Sequence, residues 1–135
     1  MHQYRELFEG VRTRTSMYLL DETYAEAAAL VLGYDLACEG GVLVGFREWL
    51  VVRLDFGSNL HWGALVLHAA FPSTRDPQQA VAANPKAQRH AIDTLFGLLT
   101  EYDQIRTRQD GLKDIFLAYD RWLHQQGNRE LSVTD

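Results

Sequence analysis

The side chains able to do chemistry in this chain are its five histidines, one cysteine and eighteen carboxylates, so their spacing is the first thing to weigh. His61 and His68 stand seven residues apart and can share a helical face, but no acid or third ligand joins them one turn away. Neither the H-E-x-x-H arrangement nor a cysteine–histidine set is present, so the sequence predicts no bound metal and no cofactor. Ser58, in Phe56-Gly57-Ser58-Asn59-Leu60, lacks the flanking glycines of a nucleophile elbow and reads as a turn serine. Cys38 has no histidine close in sequence. Its apolar setting reads as that of a small, unreactive core residue. Gly40-Gly41 has neither the lysine nor the spacing of a phosphate-binding loop.

Two groupings remain. Asp35 follows Tyr24 by eleven residues, about 20° away on a helical wheel, which puts a carboxylate on an apolar face. Either the helix ends near Gly33, or Asp35 is buried against a partner such as Arg47 or Arg53, and a structural ion pair is preferred to a catalytic acid. The second grouping is the stretch around residues 45–62, with Phe46, Arg47, Trp49, Asn59, His61 and Trp62. Tryptophan and arginine are favoured anchors of protein interfaces, and Gly57-Ser58-Asn59 should form an exposed turn. Arg47, Asn59, His61 and Trp62 are therefore the expected contact residues, although on a helix Trp49 and Trp62 read more readily as core. Glu22 and Glu26, one turn apart on a helix, are the acids expected to steer a partner. The competing reading is a small enzyme or ligand-binding protein whose site assembles from Asp35, Arg47, Asn59 and His61.

The elements that must position these groups are mainly helical. Tyr4, Leu7, Phe8 and Val11 recur as one apolar stripe, and residues 17–20 form a short extended or turn segment. Asp21 is the expected N-cap of a second helix, which presents Tyr24, Ala27, Ala28, Val31 and Cys38 to the core and stops at Gly40-Gly41. Residues 43–56 fit a helix through Phe46, Trp49, Leu50 and Leu54. They also alternate as a strand would through Leu50, Val52, Leu54 and Phe56, and helix is the preferred reading. Asn59 is the expected cap of a helix from Leu60 to about Phe71. Asp76-Pro77 and Asn84-Pro85 each place a cap before a first-turn proline. Asn84 opens a long helix with the stripe Ala87, Ala91, Leu95, Leu98, Tyr102 and Ile105. Asp110 opens the last helix, with Leu112, Ile115, Phe116, Tyr119, Trp122 and Leu123 inward. Gly127-Asn128 is expected to end it, leaving residues 128–135 as a mobile tail.

The expected fold is thus all-α: one domain over residues 1–135, a compact bundle of about six helices closed by a C-terminal antiparallel pair. A small sheet joining 43–56 to 17–20 would make it α+β. At 135 residues, with 47% hydrophobic and 23% charged residues, the chain can build a core without disulfides. A net charge of −5 argues against nucleic acid as the main partner. The apolar runs are too short to span a bilayer and the first residues lack a secretory leader, so a soluble, cytoplasmic protein is expected. Nothing in the sequence fixes an oligomeric state.

Val11-Arg12-Thr13-Arg14-Thr15-Ser16-Met17-Tyr18-Leu19 resembles the segment that opens gyrase-type ATPase domains. Thr15-Ser16 replaces Pro-Gly, however, and neither the Glu-x-x-x-Asn pair nor a glycine-rich lid follows, so that activity is not implied. The same R-x-R-x-x-M-Y-L opening also resembles that of small bacterial immunity proteins of toxin–immunity loci. That resemblance implies a protein that neutralises one toxin by binding it, and it assigns no binding residue.

Overall fold

The computed structural model describes residues 3–133, with side chains described for residues 4–130. Seven α-helices and one short 3-10 turn form the described residues, with no strand among them. The helices are α1 (Gln3–Thr13), α2 (Tyr24–Ala37), α3 (Phe46–Leu54), α4 (Trp62–Ala70), α5 (Pro77–Ala82), α6 (Pro85–Arg106) and α7 (Gly111–Val133), and the 3-10 turn is Thr15–Met17. The all-α reading holds. None of the helices is long and apolar enough to cross a membrane.

Helix α6 is the hub and packs against each of the other six. Its buried face, Ala91, Ile92, Leu95, Phe96, Leu99 and Tyr102, meets Val11 of α1, Val31 of α2, Phe46 and Leu50 of α3 and Leu65 and Val66 of α4 in one core. Helix α7 follows α6 in a consecutive pair and lies more extensively on α3 than on α6. Within residues 43–56 the helical reading holds over Phe46–Leu54, where Phe46, Leu50 and Val51 fall on one buried side. Left-handed Gly45 before them and left-handed Asp55 after them break any extended continuation.

Helix boundaries follow local capping chemistry, and several differ from the sequence expectation. Thr23, not Asp21, caps α2: its hydroxyl accepts the Glu26 N–H at 3.2 Å, while Glu26 turns back to accept the Asp21 N–H. His61, not Asn59, caps α4, its Nδ1 accepting the Gly63 N–H at 3.0 Å. Helix α7 continues through Gly127-Asn128 to Val133, because a mid-helix glycine weakens a helix without ending it. Residues 134–135 lie outside the described residues. Cys38, expected in the core, is exposed at the end of α2, beyond the last residue of the buried stripe. The proline-headed starts stand as expected, with Asp76 accepting the Gln79 N–H and Asn84 the Ala87 N–H.

The R-x-R-x-x-M-Y-L segment is a structural joint. Arg89 of α6 donates to the Thr15 hydroxyl and the Arg12 carbonyl, both at 2.6 Å, and fixes the path from α1 into the 3-10 turn. Leu19 is buried, while Met17 and Leu20 stand out from the surface.

Candidate functional site: the 57–62 turn and its neighbours

Arg47 follows the buried Phe46 at the start of α3, so its side chain leaves the core edge and runs over the surface. Its Nη1 donates to the Ser58 carbonyl at 3.0 Å, and its Nη2 lies 3.4 Å from the Tyr119 hydroxyl. The guanidinium sits 5.7 Å from the centre of the Tyr119 ring, a cation–π contact. One side chain thereby ties the 57–62 turn to α7. The turn needs glycine at position 57. Its φ is +88°, and a Cβ there would meet Leu65 Cδ2 at 2.6 Å. The Gly57 carbonyl accepts the Leu60 N–H at 2.8 Å, which presents Ser58 and Asn59 to solvent.

Of the expected contact residues, Arg47, Asn59 and His61 are brought to one surface, with Arg47 partly covered and the other two exposed. Trp62 is buried against Phe46, with ring centres 6.0 Å apart, and belongs to the core. A ring of this size gains more from burial in the core than from standing at the surface. His61 uses Nδ1 as the α4 cap, so when neutral it carries its proton on Nε2. Phe116 and Leu123, expected to face inward, are 41% and 40% exposed on α7 and bracket Tyr119. They extend the surface in a way the sequence reading missed. Their heptad spacing was visible, but only the fold shows that Ile115 and Trp122 take the buried face.

Glu22 is exposed just before α2, and Glu26 is half-buried in its first turn. The Tyr24 hydroxyl donates to the Gly63 carbonyl at 2.6 Å, and the Tyr24 N–H donates to Gln88. The first bond holds the start of α2 against the first turn of α4, next to His61, and the second ties it to α6. Burial raises the Tyr24 phenol well above its ordinary value.

Asp35 is buried, but not in an ion pair. Its Oδ1 accepts the backbone N–H groups of Val42 at 3.0 Å and Leu43 at 2.8 Å. Glu39 and Gly40 take positive φ, and the reversed chain brings those amides back over α2. The expected partners are engaged elsewhere, Arg47 as above and Arg53 with Glu101 and over the Trp49 ring. Asp35, Arg47, Asn59 and His61 therefore do not converge on one site. His68 meets the Phe56 ring edge-on, 4.9 Å between centres. Among the described residues, no group of three histidine, cysteine or acidic side chains is placed to hold a metal.

A polar cluster that the sequence reading did not single out centres on buried Asp103 of α6. It accepts hydrogen bonds from the Tyr4 hydroxyl and, at 2.5 Å, from Arg5 Nε, with Arg106 Nε at 3.9 Å. Arg106 Nη1 also donates to the Gly41 and Val42 carbonyls, both at 2.7 Å. Burial, and then the Asp103 carboxylate, raise the Tyr4 phenol. Among the described residues the neighbouring Tyr102 hydroxyl is buried with no partner in good hydrogen-bond geometry, Arg106 being the nearest donor to act on it. Burial pushes its phenol up to about 12, with Arg106 working the other way. The signal that exposed Asp35, a carboxylate on an apolar stripe, applies equally to Asp103, one turn after Leu99.

Compared with known protein families, curated proteins and solved structures, the chain matches none.

Proposed function

We propose that this chain is a protein-binding domain of the immunity or antitoxin type, one that neutralises a toxin by direct contact through the 57–62 turn and the adjoining face of α7. The observation that carries the reading is the placement of Arg47. It is held between the Ser58 carbonyl, next in the chain to exposed Asn59, and the Tyr119 ring, which stands between half-exposed Phe116 and Leu123 on α7. Arginine and aromatic groups fixed before binding lose little side-chain entropy on contact, and such groups dominate interface energies. The net charge of −5, with Glu22 and Glu26 near one edge of the surface, favours a basic partner by steering. The toxin-neutralising part of the proposal rests on the R-x-R-x-x-M-Y-L resemblance.

The test is affinity capture from the source organism with the wild-type chain and with the Arg47→Ala/Asn59→Ala double variant. His61 is kept because its loss would remove the α4 cap. One dominant protein should be retained by the wild type and lost by the variant. Co-expression of the wild type, but not the variant, should relieve that protein's toxicity. The outer face of α2 also exposes Leu32 and Leu36. Loss of capture in Leu32→Ser/Leu36→Ser, with the Arg47 variant unaffected, would move the contact there and defeat the proposed surface.

A further inference from the structure

Leu112, Phe116, Tyr119 and Leu123 of α7 follow one another at intervals of 4, 3 and 4, the heptad spacing of a helix that packs on another helix. Ile115 and Trp122, one position before Phe116 and Leu123, take the face buried in the chain's own core. The stripe stands beside that face. Phe116 and Leu123 are half-exposed, and Leu112 and Tyr119 are partly exposed. Its order is also symmetric. Reversed about the midpoint between Leu117 and Ala118, Leu112 falls on Leu123 and Phe116 on Tyr119, leucine on leucine and aromatic on aromatic. A surface that matches its own reverse is what a two-fold axis requires.

The charges follow the same symmetry. Lys113 and Asp120 each come directly after a stripe residue, on one flank, and both are exposed. In an antiparallel pair of α7 helices that flank meets itself, so Lys113 lies against the second copy's Asp120, and Asp120 against its Lys113. Within its own chain Asp120 stands 3.7 Å from His124. A parallel pair would forfeit these contacts, because it sets this flank against the one where Ile115 and Trp122 are buried and α3 packs. Arg47 lies over Tyr119 from the α3 side, so the two-fold axis brings two arginines to one side and adds repulsion there.

We infer that this chain pairs with a second copy of itself through α7, antiparallel, with Leu112 on the second copy's Leu123 and Phe116 on its Tyr119. From Leu112 to Leu123 the stripe spans roughly 16 Å, so it covers less than a standard interface and the dimer is weak and reversible. It includes the α7 part of the proposed partner surface, so a second copy and that partner compete for it. The dimer itself does not depend on the partner.

Sedimentation velocity over a concentration series at low salt tests the pairing. The wild type should pass from one chain to two as concentration rises. Lys113→Asp and Asp120→Lys each place like charges at both contacts and should weaken self-association by about tenfold or more. Combining them should restore it, and a mixture of the two single variants should form a mixed dimer tighter than either alone. Phe116→Ser/Leu123→Ser should remain a monomer with unchanged helical circular dichroism. Arg47→Ala, a substitution aimed at the partner contact, should leave self-association no weaker, so a failure of the partner reading is told apart from a failure of the dimer. A single-chain mass at every concentration up to about 1 mM would overturn the inference. A double swap no tighter than the single swaps would overturn the antiparallel register.

Discussion

The Arg47 guanidinium lies 5.7 Å from the Tyr119 ring centre, which joins residues 72 positions apart and fixes a basic group on the 57–62 surface. The contact is half-exposed, and exposed cation–π contacts contribute about 0.5–1 kcal/mol. Arg47→Ala should therefore lower the unfolding free energy by no more than about 1 kcal/mol. Urea denaturation measures this directly. A loss several times larger would make Arg47 a structural strut rather than a contact residue.

Gly57→Ala should be far more damaging. A Cβ at φ +88° is strained, and it would press on Leu65, which is fully buried. Strain and overpacking together should cost about 2–4 kcal/mol, read as a lower denaturation midpoint. An unchanged midpoint would mean that the turn relaxes without the core.

The two amides held by Asp35 give a different signature. Asp35→Ala strands the buried Val42 and Leu43 N–H groups and should destabilise by about 2–4 kcal/mol. Asp35→Asn keeps an acceptor oxygen and should lose about half as much or less. Equal losses in the two variants would show that charge, not amide capping, is what the site requires.

What the sequence made legible follows from the range of the interactions involved. Helix content, the proline-headed starts of α5 and α6, and the helical choice within residues 43–56 depend on neighbours within a few positions. Asp35 was visible as misplaced because periodicity shows when a polar group falls on an apolar face. Its partners were not visible, because the reversal after Cys38 depends on backbone angles at Glu39 and Gly40. Trp62 and the pair Phe116 and Leu123 exchanged expected roles for the same reason. Which of two adjacent stripes is buried is decided by the helix packed against it, and α3 is remote from α7 in sequence. The Arg47–Tyr119 contact has no local trace.

Alkaline pH should unfold the chain through its buried phenols. Unfolded tyrosines ionise near about 10, whereas burial holds Tyr102 to about 12 and raises Tyr24 as well. The folded form thus keeps protons that the unfolded form releases. Stability from these groups is full below pH about 10 and is lost as pH rises through about 12. Tyr102→Phe removes this poorly bonded hydroxyl, so at neutral pH it should be neutral or stabilising by up to about 1 kcal/mol. It should also flatten the alkaline decline. Thermal melts across that range, with phenolate absorbance followed in parallel, check both. A variant that is clearly less stable at neutral pH would show that the hydroxyl is satisfied.

The most direct measurement of the central claim is the dissociation constant of the captured partner for the wild type and for Arg47→Ala/Asn59→Ala, beside the melting temperature of each chain. The account predicts at least about a hundredfold weakening, some 2.7 kcal/mol, with the double variant still folded. A folded double variant that binds the partner within threefold of the wild type would contradict it.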